Sequence, residues 1–210
     1  MAVALARRSA CIFFLLLLPL LLEAQAGPTP RPYALQEIQL GAPLSEVRRL
    51  RFVEEGARNK LRLLCSNDAE SAGIDLLHPL ATALRQDEIR CALFEGETPR
   101  ATPTQGTMQI FGESVRPLLL FYPPDDGGEA HLAEIIVRFD SGRFQQIVAF
   151  MRRAYGPPDN YQMTGMQSVF GEMVDATYYW NNDVSSIEAD SITLDLDKMS
   201  VVFKLTELAP

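Results

Sequence analysis

Residues 131–158 read HLAEIIVRFDSGRFQQIVAFMRRAYGPP, and this stretch decides the fold expected for the chain. From Leu132 to Asp140 apolar and polar residues alternate, which is the period of a half-buried strand. The period then changes, and one stripe of an α-helix follows: Phe144, Ile147, Val148, Met151 and Tyr155. Gly156 and the two prolines after it end that helix. The stretch therefore predicts a strand, a turn and a helix with one apolar face.

The C-terminal part of the chain predicts more strands. Short apolar or alternating runs lie at 173–180, 187–189, 192–196 and 201–205, and Asn181-Asn182-Asp183 is a hairpin turn signal. Residues 160–169 predict irregular or only weakly strand-like structure. The expected fold class is α+β, in one domain or two related modules, with an antiparallel sheet and a principal helix, 142–155, packed across it.

The first 26 residues have the features of a cleaved secretory signal peptide. Arg7 and Arg8 precede an apolar run at 12–22, and Ala24-Gln25-Ala26 is a small-x-small cleavage site. An extended leader is expected at 27–34, an N-terminal α+β module at 35–96, a linker or long loop at 97–106, and a C-terminal α+β module at 107–210. The signal peptide predicts a periplasmic or secreted protein without stable membrane insertion after cleavage; a retained anchor is the alternative.

Charge and cysteine content narrow the class of protein. The net charge is −8 and Lys/Arg clusters are lacking, which argues against nucleic acid as a partner. Cys11 leaves with the signal peptide, so Cys65 and Cys91 remain. An even pair in an oxidising compartment predicts a disulfide, because the spacing is unlike that of redox-active or metal-binding cysteines.

Catalytic motifs are missing from the sequence. G-x-S-x-G, H-E-x-x-H, the P-loop and G-x-G-x-x-G do not occur, and the two histidines, His78 and His131, are isolated. The chain is therefore expected not to be an enzyme and to need no cofactor. An enzyme of unrecognised type remains an alternative.

Two groups of residues are candidates for binding. Met163, Met166 and Met173 carry soft thioethers that suit Cu(I), so a copper or small-ligand carrier is one alternative function. Tyr161, Tyr178, Tyr179 and Trp180 form the second group, a candidate binding surface, since aromatic side chains dominate protein-binding hot spots. In a strand, Tyr178 and Trp180 share one face and Tyr179 lies on the other, so one of the two faces is expected to be core.

The segment IQLGAPLSEVRRL at 38–50 resembles the turn-and-helix signature of BamE/SmpA-type outer-membrane-assembly lipoproteins. The helix ending in Tyr155-Gly156-Pro157, followed by Tyr178-Tyr179-Trp180, is similar to the second part of that pattern. The tandem form resembles β-lactamase inhibitor proteins. The lipid-attachment cysteine of the lipoproteins is missing here. The resemblance implies a binding module without catalysis, so we expect a secreted bacterial envelope protein that binds a protein partner through a sheet surface or edge.

Overall fold

The computed structural model describes residues 31–53, 60–75, 87–96, 103–168, 171–191 and 198–206. The side chains of 53, 166–168 and 171–174 are not described. The predicted signal peptide and the predicted strand at 192–196 lie outside the described residues.

One antiparallel sheet of nine strands forms the body of the protein. Two short strands, β1 (Ala34–Leu35) and β2 (Ile38–Gln39), precede it, and β6 (Met108–Ile110) and β7 (Glu113–Val115) form a further small hairpin. The sheet strands, in chain order, are β3 (Phe52–Val53), β4 (Lys60–Cys65), β5 (Ile89–Glu95), β8 (Leu118–Tyr122), β9 (His131–Asp140), β10 (Asn160–Ser168), β11 (Gly171–Asn181), β12 (Ser185–Asp190) and β13 (Lys198–Leu205). Their spatial order is β10-β11-β12-β13-β9-β8-β5-β4-β3, so β9 joins the two halves of the chain in one sheet.

Most of the core lies on one face of this sheet, which we call the core face. Ile135 and Phe203 are directly opposed there, as are Val137 and Val201, and all four are fully buried. The other face, which we call the second face, carries the alternate residues of the same strands, such as Ile136. At the β4–β5 end of the sheet this face has a smaller buried cluster of its own, made by Leu64, Ala92 and Phe94. Along β9 and β13 this alternation is typical of a sheet with one packed face.

Several small elements together cover the core face. Helix α2 (Phe144–Tyr155) buries Phe144, Ile147, Val148 and Met151. The short helix α1 (Leu44–Val47) buries Leu44 and Val47, and the β1–β2 and β6–β7 hairpins contribute further side chains to the same core cluster. Asp140 accepts the N–H of Gly142 (2.9 Å) at the 3₁₀ turn Ser141–Arg143 that leads into α2.

The expected α+β fold class is wrong, because the protein is mostly β. Among the described residues α2 is the one helix longer than a single α-helical turn. It is one part of a covering layer that also includes two hairpins. The sequence undercounted strands because a short alternation, as at 160–165, is a weak local signal, and pairing with β11 makes a full strand of 160–168.

A β-bulge shifts the alternation at the start of β9. Leu120 is opposite Glu134, whereas the next residue, Phe121, is opposite Leu132. One extra β9 residue, Ala133, is accommodated between these pairs, so Leu132 joins the core face and is fully buried. The simple alternating pattern would have placed Leu132 on the wetter face.

The start of the described chain is held against the C-terminal half. Tyr33 donates its N–H to Ser185 Oγ (2.9 Å), and the Tyr155 hydroxyl donates to the carbonyl of Ala34 (3.0 Å). The rings of Tyr33 and Tyr155 also meet edge to face, with centroids 5.6 Å apart. The start of the described chain therefore belongs to the same packed unit as α2 and β12.

Candidate functional site

The predicted disulfide is present. Cys65 and Cys91 are directly opposed on β4 and β5, 26 residues apart in sequence, and both are fully buried. A disulfide of this kind is typical of a protein that folds in an oxidising compartment. In the described part of the chain, no helix is long and apolar enough to cross a membrane.

The four candidate aromatic residues divide between core and surface. Tyr178 and Trp180 are buried on the core face, where Trp180 Nε1 donates to the carbonyl of Gly156 (2.9 Å). Tyr179 is half-buried on the second face. Tyr161 has 61% of its surface exposed, and its ring stacks on that of Tyr178 with centroids 6.0 Å apart. Tyr161 is therefore the most exposed member of the group.

Strand β10 is the outer edge of the sheet, and it is exposed. Residues 160–165 are all exposed, and the two exposed large hydrophobic residues found in the described chain, Tyr161 and Met163, both lie on this strand. Both face the same side of the sheet as α2, because Tyr161 is opposite Tyr178 and Met163 is opposite Ala176. The nine residues NYQMTGMQS include no charge and no proline.

The hydrogen bonds of the neighbouring strand show which way its backbone points. The N–H of Ala176 donates to Ser191 Oγ (2.8 Å), and the carbonyl of Ala176 accepts from the N–H of Ser191 (2.9 Å). The backbone groups of Ala176 are therefore directed away from β10. Since successive residues of a strand direct these groups to alternate sides, those of Asp175 and Thr177 point toward β10.

The same alternation fixes the backbone of β10. Gln162 is opposite Thr177 and Thr164 is opposite Asp175, so Gln162 and Thr164 use their backbone groups on β11. Tyr161, Met163 and Gly165 consequently direct their N–H and C=O groups to the outer side. No described strand lies along that side. The Tyr161 N–H is satisfied locally by Asn160 Oδ1 (2.8 Å).

An arginine and two tyrosine rings lie beside this edge, on the core face of the sheet, where α2 packs. The Arg152 guanidinium lies over the Tyr178 ring, with Cζ 5.4 Å from the ring centroid. Tyr178 in turn stacks on the exposed Tyr161. A side chain placed next to Tyr161 by an added strand would therefore meet an aromatic surface, with a positive charge nearby.

The three methionines lie on the β10–β11 hairpin. Met166 is opposite Met173 in register, and Met163 is opposite Ala176. Met163 and Met166 are an odd number of residues apart, so their positions belong to opposite faces of the hairpin. Met163 is 61% exposed.

The second face carries an acidic group next to Tyr179. Glu188 is directly opposite Tyr179, and Asp190 accepts a hydrogen bond from Thr177 Oγ1 (2.6 Å). Partial burial raises the pKa of Glu188, and the neighbouring Asp190 raises it further. Burial and the same carboxylates raise the pKa of Tyr179. Within the described residues, no group of three or more His, Cys, Asp or Glu side chains is placed to hold a metal ion.

The sequence singled out Tyr161 and Met163 but predicted only irregular or weakly strand-like structure where β10 presents them. A signal was available, because Tyr161 and Met163 alternate with Gln162 and Thr164 at the period of a strand. The position of this strand at an edge depends on the order of strands in the sheet, which the local sequence does not contain.

No family model, no curated protein and no solved structure matches this chain.

Proposed function

We propose that this chain is a secreted, non-catalytic protein-binding module of the bacterial cell envelope, and that it binds an extended segment of a partner protein along the outer edge of β10. The observation that carries the proposal is an edge strand of nine uncharged residues, exposed at 160–165. Binding would extend the nine-stranded sheet by one strand.

In natural proteins an open edge of this kind is normally protected against pairing with other chains. Natural sheets protect their edges with lysine or other charges, proline, bulges or very short strands, because an unprotected edge pairs with other chains. At the opposite edge of the sheet, β3 is only two residues long. Strand β10 is long, and its register with β11 runs without a bulge from Asn160 to Ser168. The difference between the two edges favours β10 as the one that receives a partner.

The side chains of β10 supply contacts on one face. Two large apolar side chains exposed on one strand, on the same side, form a small surface of the kind that protein interfaces bury. The added strand would gain hydrogen bonds from the outward carbonyl of Tyr161 and the outward backbone groups of Met163 and Gly165. It would gain apolar contacts from the side chains of Tyr161 and Met163.

The compartment and the sequence resemblance agree with this function. The signal-like segment at 1–26 and the Cys65–Cys91 disulfide support export from the cytoplasm. The resemblance to BamE/SmpA-type modules and to β-lactamase inhibitor proteins supports a role in binding other proteins without catalysis.

The test uses a matched pair of substitutions at Gly165. An added Cβ at this position meets nothing within 4 Å, and its outward N–H is not needed by β11. Gly165→Pro removes that N–H and places a ring at the outer side, whereas Gly165→Ala keeps the N–H. Proline is tolerated in edge strands when its missing N–H faces solvent.

A photo-crosslinking amino acid at Met163, used in cells, would identify the partner, and mass spectrometry would locate the attached segment. We expect the crosslink in the wild type and in Gly165→Ala, and its loss in Gly165→Pro. In the purified complex the Met163 amide should become protected from hydrogen exchange. A partner that is retained by Gly165→Pro, or that leaves the Met163 amide unprotected, would exclude strand addition at β10.

A further inference from the structure

We propose a second binding site, on the second face of the sheet, for a small anionic amphiphile: a molecule with one acidic group, such as a carboxylate or sulfonate, and an apolar body. The site is a groove lined by Gln105, Thr107, Ser114, Val115, Arg116, Leu118, Ile136, Arg138 and Lys198, with a volume of about 510 Å³. We call it the β8–β9 groove. It does not depend on the function proposed for β10, which lies four strands from β9.

The groove exists because the sheet divides at the start of β8. Strand β8 begins at Leu118, which is opposite Ile136, and the chain before Leu118 leaves the sheet through Pro117. Beyond this point β5 pairs instead with the segment around Gln105, which forms a bridge with Phe94.

Strand β9, in contrast, continues to Asp140 on its β13 side. No described ladder joins the Gln105 segment to the end of β9. The two arms of the sheet therefore leave a gap between them, and the β8–β9 groove is this gap.

The floor of the groove is apolar. Leu118 and Ile136 are direct cross-strand partners, and both remain half-exposed on the second face. Val202, opposite Ile136 on β13, extends this strip and is also half-exposed. A volume of about 510 Å³ lies within the range of roughly 300–1,000 Å³ that is usual for small-molecule sites. The floor fits the apolar body of a ligand of that size.

The walls of the groove are positively charged. Arg116, Arg138 and Lys198 line it, and none of the lining residues is acidic, although the whole chain has a net charge of −8. Asp140 is directly opposite Lys198 in the sheet, and Glu113 lies 3.5 Å from the Arg143 guanidinium. The charge that the groove offers to a ligand is therefore that of Arg116 and Arg138.

Charge complementarity therefore selects an anion. An arginine fork matches the paired oxygens of a carboxylate, phosphate or sulfonate, and Arg116 and Arg138 are both exposed. An apolar floor beneath cationic walls suits a ligand that is acidic at one end and apolar at the other. A neutral apolar molecule would make no ion pair with Arg116 or Arg138, and a small inorganic anion would leave the floor uncovered.

The test uses two fluorescent probes that share one aromatic frame. 8-Anilinonaphthalene-1-sulfonate carries a sulfonate, and N-phenyl-1-naphthylamine is the same frame without it. We expect saturable binding of the sulfonate probe at one site, with at least tenfold weaker binding of the neutral probe. Amide resonances of Leu118 and Ile136 should shift on titration with the sulfonate probe.

Two charge-matched double variants separate binding in the groove from a general effect of protein charge on probe binding. Arg116→Gln with Arg138→Gln should weaken binding of the sulfonate probe about tenfold or more. Arg49→Gln with Arg153→Gln removes the same charge from exposed positions elsewhere and should leave binding unchanged. Ile136→Thr keeps a β-branched residue in the strand and should weaken binding several-fold, since it makes the floor polar.

Three results would overturn the proposal: equal binding of the two probes, equal weakening by the two double variants, or resonance shifts confined to residues away from β8 and β9. None of these results bears on β10, so the function proposed for that strand would stand or fall separately.

Discussion

Replacing Ile147 with alanine should destabilise the protein by about 4 kcal/mol. Ile147 is fully buried at the centre of the apolar stripe of α2. The substitution removes three carbon atoms, and at about 0.8 kcal/mol for each buried carbon the lost transfer free energy is roughly 2.4 kcal/mol. Core substitutions of this kind cost about 2–5 kcal/mol in total, because a cavity that relaxes only partly adds to the transfer term.

The neighbouring residue Gln145 provides the control. It is exposed on the opposite side of α2, so Gln145→Ala should change the free energy of unfolding by less than about 0.5 kcal/mol. Alanine has a higher helix propensity than either native residue, so propensity cannot explain a loss at Ile147. Urea denaturation with unchanged m-values measures both effects. Equal losses at the two positions would show that the stripe of α2 does not pack as the structure places it.

Three further substitutions test other features of the fold. Replacing both Cys65 and Cys91 with alanine should lower the free energy of unfolding by about 2–4 kcal/mol. Urea titration of the oxidised wild type, the reduced wild type and the double variant measures this loss. Equal stability of the oxidised and the reduced wild type would contradict the prediction. Burial raises the pKa of Tyr155 to about 12, so the folded protein holds this proton more tightly than the unfolded chain does, and stability should fall as the pH rises above about 10. Tyr155→Phe should cost about 1 kcal/mol at neutral pH and lessen that alkaline fall, and an unchanged pH profile would refute the assignment. Gly156 has φ 86° and ψ −173°, a backbone conformation that is strained for any residue with a side chain. Gly156→Ala should therefore lower the free energy of unfolding by about 1–3 kcal/mol, whereas Gly165→Ala should be nearly neutral, and thermal unfolding of the two variants measures the difference.

Much of the local structure followed from the sequence. The predicted helix at 142–155 corresponds to α2 at Phe144–Tyr155, and the hairpin signal at 181–183 lies where β11 turns into β12. In that turn Asn182 Oδ1 accepts the N–H groups of Val184 and Ser185. Such features are predictable because a helix stripe, a terminating glycine and a turn-forming asparagine act within a few residues of sequence.

The candidate site was predictable only in part. Tyr161 was singled out as an aromatic residue, but its exposure depends on the position of β10 at the outer edge of the sheet. Tyr178 and Trp180 were singled out by the same reasoning, and both are buried. Composition cannot separate these cases, since aromatic residues serve cores and interfaces equally well. The β8–β9 groove had no sequence signal, because its walls come from segments far apart in the chain.

The sequence by itself determined two elements whose cause is local: the strand at 132–140 and the helix after it. It also predicted the Cys65–Cys91 disulfide, because these are the two cysteines after residue 26. Only the tertiary structure decided that the strands form one nine-stranded sheet, that a bulge turns Leu132 into the core, and that β10 is left at an edge. The physical reason is that side-chain period and turn chemistry act over a few residues, whereas strand order and register are set by pairings between distant segments.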